Sequence, residues 1–220
     1  MKRPLAAVAL CAGLLSAAAD AAIMTFTNRA AFLAATGASS IGAIPATIAG
    51  SGFTLGPLTF TNHAPSTMTS GVNWSTLISE PFDLAVSNVE SFNIAASGPL
   101  FAFGFDFHEP TLSTPPGPSF PDTCNTACVD STFRITLFNG AIVVDSFDFN
   151  ADDDVLAFIG VSSTLSFDRI EIREIVGTSD NEFFGNFLVG RVQLVPEPAT
   201  LALVGVGLLG LAATRRRRLR

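Results

Sequence analysis

Tyrosine is absent from this chain and tryptophan occurs once, yet there are 20 phenylalanines. Rings that meet water or a sugar usually carry a polar handle, as Tyr and Trp do, so most of these aromatics belong inside and a broad sugar-stacking platform is not expected. Histidine occurs only at His63 and His108, so any Ser-His-Asp arrangement must use one of them. Neither a Gly-x-Ser-x-Gly elbow nor a Gly-rich phosphate loop is present. Positive charge is scarce too. Between residues 22 and 195 lie 17 acidic residues and five basic ones (Arg29, Arg134, Arg169, Arg173, Arg191), a net charge of −12, and the single lysine is Lys2. Such a surface repels nucleic acid and anionic lipid, and its natural counterions are divalent cations. No nucleic-acid partner is expected.

Cysteine is sparse. Cys11 falls inside an apolar N-terminal run, leaving Cys124 and Cys128, spaced CNTAC in a Pro-rich loop. In an oxidising compartment that spacing predicts a small local disulfide. A metal site would want histidine partners, and a redox motif two intervening residues rather than three. A loop this short restrains the unfolded chain little, so the bridge trims a loop and does not hold the fold.

The two ends are where the sequence says most. Lys2 and Arg3 precede an apolar stretch from Leu5 to Leu15, and Ala19-Asp20-Ala21 offers a small-x-small cleavage site. Residues 1–21 therefore read as a signal peptide. At the other end Pro196-Glu197-Pro198 leads into an uncharged run, Ala199 to Ala213, followed by Arg215, Arg216, Arg217, Arg218 and Arg220. The run is favourable in hydrocarbon while each guanidinium at a helix centre costs about 2.5–3.5 kcal/mol. The arginines stay in the cytoplasm, and the positive-inside rule puts everything before Pro196 outside. A 15-residue helix at about 1.5 Å per residue reaches only about 23 Å, short for a core of about 30 Å, and Gly205, Gly207 and Gly210 interrupt it. Such a span suits a segment that is recognised and then removed.

This order of elements resembles the PEP-CTERM sorting signal of Gram-negative bacteria. Pro196, Glu197 and Pro198 stand on the motif, residues 199–214 on its membrane span and Arg215 to Arg218 on its basic tail. The resemblance implies an inner-membrane single-pass intermediate, signal peptidase and exosortase as partners, and a destination at the cell surface or outside the cell. It further implies a place in an exopolysaccharide-rich matrix or biofilm.

Between these ends residues 22–195 form one domain with room for a core. Ile23 to Thr27 alternates as a strand, Asn28 is placed to cap a helix over Arg29 to Thr36, and Gly37 to end it. Residues 39–79 look irregular, with one hairpin around Gly56-Pro57 and with His63 and Trp74, the latter expected over a core edge. Val89 to Ile94 alternates, and Leu100 to Phe107 puts Phe101, Phe103, Phe105 and Phe107 on one face. Facing them should be Phe133, Ile135 and Leu137, then Ile142, Val144, Phe147 and Phe149, with a type I′ hairpin at Asn139-Gly140. Val155 to Val161, a turn at Ser162 to Thr164, Leu165 to Glu174 and Phe184 to Leu194 complete the set. Phe167 differs in parity from Ile170 and Ile172, which predicts a bulge near Asp168 or Arg169. About ten short strands, one helix and no βαβ rhythm predict a mainly β fold, an antiparallel sandwich of jelly-roll type.

Chemistry is thinly marked. The run DFNADDD, with Asp148, Asn150, Asp152, Asp153 and Asp154, offers oxygen ligands suited to calcium, but as an EF-hand it fails, with Asp153 where glycine belongs and Ile159 where glutamate belongs. Its plain reading is a solvated acidic turn. A sandwich can still build a calcium site from separate loops, with Asp180 and Glu182 available. His108, beside Asp106 and Glu109, reads as part of a surface cluster at a strand end. The expectation is a non-enzymatic exported protein without a cofactor. The alternatives are a calcium-assisted, lectin-like binding module and, third, a polysaccharide hydrolase using His63, His108 or a carboxylate pair.

Overall fold

The computed structural model describes residues 21–48, 51–72, 74–110, 130–177 and 180–191. Residues 1–20 of the signal peptide, Cys124 and Cys128, and the tail with Pro196, Glu197, Pro198 and Arg215 to Arg218 lie outside the described residues. Among the described residues no helix is long and apolar enough to cross a membrane.

The chain opens with β1 (Ile23–Phe26) and α1 (Arg29–Thr36). The Asn28 side chain accepts the Ala31 N–H at 2.9 Å, and Gly37, at φ 60°, donates its N–H to the Leu33 carbonyl. Both caps are those the sequence predicts. Phe32 is buried where α1 packs on two strands, β7 (Phe92–His108) and β10 (Ala157–Val176). Gly104 and Gly160 are cross-strand partners there, and a Cβ on either would lie within 3.4 Å of the Phe32 ring. The paired glycines make the seat for that ring.

The remaining strands are β2 (Ser39–Ser40), β3 (Gly52–Leu55), β4 (Leu58–Asn62), β5 (Thr67–Gly71), β6 (Asp83–Asn88), β8 (Thr132–Asn139), β9 (Ile142–Asn150) and β11 (Asp180–Gly190). All belong to one antiparallel network, ordered β5-β6-β11-β7-β10-β8-β9, with β1 on β10, β2 on β11 and the β3/β4 hairpin on β7. The long strands β7 and β10 serve two neighbourhoods. The first half of β7 pairs with β4 and the far end of β10, the second with β11 and the near end of β10. The sheet coils, because strands distant in the hydrogen-bonded order touch through their rings. Phe107 of β7 meets Phe133 of β8 and Phe149 of β9, each at 5.4 Å between centroids, and Phe133 lies 6.1 Å from Phe184 of β11. Phe60 and Phe187 extend this core at 4.8 Å.

Several expectations change. Val89 to Ile94 is not one strand: β6 ends at Asn88, Glu90 turns the chain at φ 50°, and β7 starts at Phe92. Ser162 to Thr164 is not a turn but the inside of the 20-residue β10, because β7 and β1 pair with Ser162 from both sides. Pairing on two edges overrides the turn preference of these residues. The predicted bulge is present between Phe167 and Arg169, and Phe167, Ile170 and Ile172 are all buried. The β8/β9 turn centres on Gly140-Ala141 rather than Asn139-Gly140. Only Gly140 has positive φ, at 59°, so the type I′ requirement is not met. A register shift between Leu137 and Phe138 then leaves Ile142, expected in the core, 73% exposed. Residues 39–79 hold two strands beyond the hairpin, and β11 starts four residues earlier than expected. Asp106 and His108 are not on an outer surface, with only 4% and 8% exposed. Arg29 and Asn186 cover Asp106, the latter at 2.8 Å, and Ser75 covers His108.

Candidate metal centre

The second half of β7 carries Phe103, Phe105 and Phe107 into the core and then delivers Glu109 one residue past its end. Two other connections arrive at the same place. Asp130 and Ser131 lead into β8, and residues 151–156 carry the chain from β9 to β10. Backbone bonds hold the three together. The Ser131 N–H donates to Glu109 Oε1 at 2.6 Å, and the Asp154 N–H, from a residue at φ 55°, donates to the Glu109 carbonyl at 2.8 Å. One carboxylate oxygen each from Glu109, Asp130 and Asp153 then lies within 4.8 Å of the other two.

The burial is uneven. Asp130 and Asp153 are exposed, whereas Glu109 is 2% exposed and its Oε2 has no hydrogen-bond partner among the described residues. Ser131 extends the system inward. Its hydroxyl donates to Glu182 Oε1 at 2.9 Å, and Glu182 is fully buried with Oε2 also unpartnered. Burial, reinforced by the charges of Asp153 and Asp130 and opposed by the Ser131 N–H, pushes the Glu109 carboxyl up to about 7. Burial holds Glu182 well above the usual carboxylate range, and burial together with Asp130, Asp154 and Asp152 raises Asp153.

Among the described residues no arginine pairs with this end. The described ion pairs join Arg29 to Asp106, Arg134 to Asp148, and both Arg169 and Arg173 to Glu171. A buried carboxylate without a cation or a full set of donors is costly, and the remedies are a proton or a metal. Oxygens within 4.8 Å of one another match ligands placed around one ion at the 2.3–2.6 Å of calcium–oxygen bonds. The set contains no nitrogen or sulfur ligand, which disfavours zinc.

The structure divides the DFNADDD run. Asp148 forms a two-pronged pair with Arg134 at 2.7 and 2.8 Å, and Asn150 donates to Asp130 at 2.9 Å. Asp152 is exposed outside the three-carboxylate group, Asp153 joins the group, and Asp154 contributes its backbone. Glu182 does come to the edge of the centre, through Ser131. Glu109 and Asp130 are the ligand candidates that sequence reasoning passed over. The available signal was a carboxylate immediately after the most strongly alternating strand, read there as part of a surface cluster.

The histidines lead elsewhere. Ser75 Oγ lies 2.8 Å from His108 Nδ1, which on spacing alone suggests a nucleophile and its base. However, the Ser75 oxygen also accepts the Leu77 and Ile78 N–H groups at 3.3 and 3.2 Å, so its lone pairs are engaged in closing a turn. Ser75 is fully buried and its N–H is held by Asp83 at 2.6 Å. The pair closes a turn onto the sheet, with His108 stacked on Phe183 and held below its ordinary pKa by burial. His63 lines a different feature, a groove of about 500 Å³ with Asn93, Arg169 and Arg173. Trp74 packs with Ile78, Ala85 and Phe183 over Gly71, the core-edge role expected of it.

Comparison with known proteins addresses the chain's end. Residues 194–218 match the PEP-CTERM protein-sorting motif. No curated protein matches the chain significantly. Among solved structures, the enzymatically active domain of bacteriophage CBA120 tailspike protein 4 is similar at 17% identity and a TM-score of 0.33. The match covers 60% of this chain and 19% of that one. A superposition this loose carries no argument about fold or activity.

Proposed function

We propose, from the premise that residues 194–218 carry the PEP-CTERM protein-sorting motif, that this is a non-enzymatic β-domain protein of the cell envelope or extracellular matrix, delivered by an exosortase. The sorting motif is the observation that carries the reading. It implies export and exosortase processing. Residues 1–21 direct export and are removed, residues 22–195 fold outside, and residues 199–214 span the inner membrane until cleavage near Pro196-Glu197-Pro198. Cys124 and Cys128 form a disulfide in that compartment. The coiled sheet is read as two-layered and jelly-roll-like, supported by the Phe133–Phe184 contact between strands that share no hydrogen bonds. The association with exopolysaccharide is supported by the acidic, lysine-free segment, which favours solubility in a hydrated matrix.

The test is the intact mass of the protein from its native host and from a strain lacking the exosortase. The proposal expects a wild-type product ending near Pro196 to Thr200 in the envelope or medium, and a product still carrying Arg215 to Arg220 in the mutant. Identical processing in both strains contradicts it. The three-carboxylate group favours one second reading, a calcium-assisted carbohydrate-binding module. Calorimetry with purified exopolysaccharide, with and without calcium, separates the two, since heat of sugar binding belongs only to the module.

A further inference from the structure

The acid end of the domain brings three chain connections onto one point, and Glu109 sits there almost wholly buried with an oxygen that no described residue satisfies. We propose that Glu109, Asp130 and Asp153 bind a single calcium ion that fastens the exit of β7, the entry to β8 and the β9–β10 connection to one another. The three oxygens already lie within 4.8 Å of each other, the spacing that ligands of one ion require. Two of the ligands are exposed and face solvent, which gives the ion an entry path and leaves room for water in its remaining positions. The third is buried and held through Oε1 by the Ser131 N–H and through its carbonyl by the Asp154 N–H, so its carboxylate is presented without further ordering, and Oε2 has no hydrogen-bond partner among the described residues.

The ligand type selects the ion. All three groups are hard oxygens, so zinc and copper are poor candidates. Magnesium needs near-ideal octahedral geometry at 2.0–2.1 Å, whereas three carboxylates from three irregular connections suit the looser shell of calcium. Three negative charges for two positive ones, with water completing the shell, is the composition of a moderate-affinity extracellular site, with Kd of about 10⁻⁴–10⁻³ M. The role is structural: the ion replaces the countercharge that the arginines supply to Asp106, Asp148 and Glu171. The inference rests on the proposed export only for its supply of calcium. Binding is measured on the purified chain, so failure to bind leaves the sorting reading intact, and failure of sorting leaves the site intact.

The experiment is calcium titration of the full chain by calorimetry, paired with melting curves in EGTA and in 10 mM calcium, with magnesium as the control. Wild type is expected to take up one calcium saturably and to melt roughly 5–10 °C higher with it, while magnesium has a much smaller effect. Asp130→Asn and Asp153→Asn, both at exposed positions and near-isosteric, are expected to fold and to lose at least tenfold in affinity and most of the melting shift. Asp152→Asn, outside the group, is expected to bind within twofold of wild type. No saturable heat from folded wild type overturns the proposal, as does undiminished binding by folded Asp130→Asn and Asp153→Asn, or equal binding of magnesium.

Discussion

Phe107 and Glu109 are two residues apart in the chain, and both are almost wholly buried, at 0% and 2% exposure, yet they meet opposite physical fates. Around Phe107 the rings of Phe133, Phe149 and Phe184 lie 5.2–5.4 Å away, and every atom placed there gains from leaving water. Around Glu109 lie Asp130, Asp153 and, through Ser131, Glu182, and burial there works against the folded state unless something neutralises it. The aromatic end is complete within the chain, and the acid end is completed by solution. One strand thus joins a core set by composition to a centre whose strength depends on pH and on cations.

The comparison breaks most visibly at the aromatic end. Phe107→Ala removes a ring from the middle of the cluster and is expected to cost about 3–5 kcal/mol in urea unfolding, with or without calcium. Gly160→Ala is the next largest. Its Cβ would lie 2.8 Å from both the Phe32 and Phe158 rings, so α1 must shift, at about 1–3 kcal/mol by the same measurement.

Asp83 sharpens the acid side, because it is a buried carboxylate that is not one of the three grouped oxygens. Burial chiefly raises its carboxyl from 3.8 to about 6, Glu80 adding to the shift and the Ser75 and Trp74 N–H groups opposing it. The folded chain therefore holds a proton that the unfolded chain has released between those values. Its contribution is fully present below about pH 4 and is lost as pH rises through about 6. Melting temperature in EGTA should carry this component, and Asp83→Asn, which still accepts the Ser75 N–H, should flatten it. Smallest of all is the effect expected at an acid that has its own arginine. Arg134→Ala exposes Asp148 on an already exposed edge, so melting in 0.15 M salt should not change measurably, nor should the calcium response.

Legibility from sequence follows the same division. The helix was readable because both caps are local chemistry, Asn28 at one end and Gly37 at the other. Period two places Phe103, Phe105 and Phe107 of β7 in the core, but not Phe101, because the pairing shifts register between Leu100 and Ala102 and buries Leu100 instead. The bulge near Asp168 is readable from a parity conflict that only an extra residue resolves. What failed was local preference overridden from a distance. Ser162 to Thr164 looks like a turn until neighbours pair with it from both sides, and Val89 to Ile94 looks like a strand until Glu90 turns the chain. The metal centre was the least legible. DFNADDD marked the right neighbourhood through Asp153, but Glu109 and Asp130 come from connections that only the fold brings near, and no pattern in sequence shows that Glu109 is buried.

Native-state hydrogen exchange of the full chain, with calcium and with EGTA, tests the contrast between the two ends most directly. The amides of Ser131 and Asp154 report on the acid end, since both donate to Glu109, and those of Phe103 and Phe105 report on the aromatic end. Calcium is expected to slow exchange at Ser131 and Asp154 by at least tenfold while leaving Phe103 and Phe105 nearly unchanged. Equal slowing everywhere, or none at Ser131 and Asp154, would show that the acid end is as complete within the chain as the aromatic one and contradict the account.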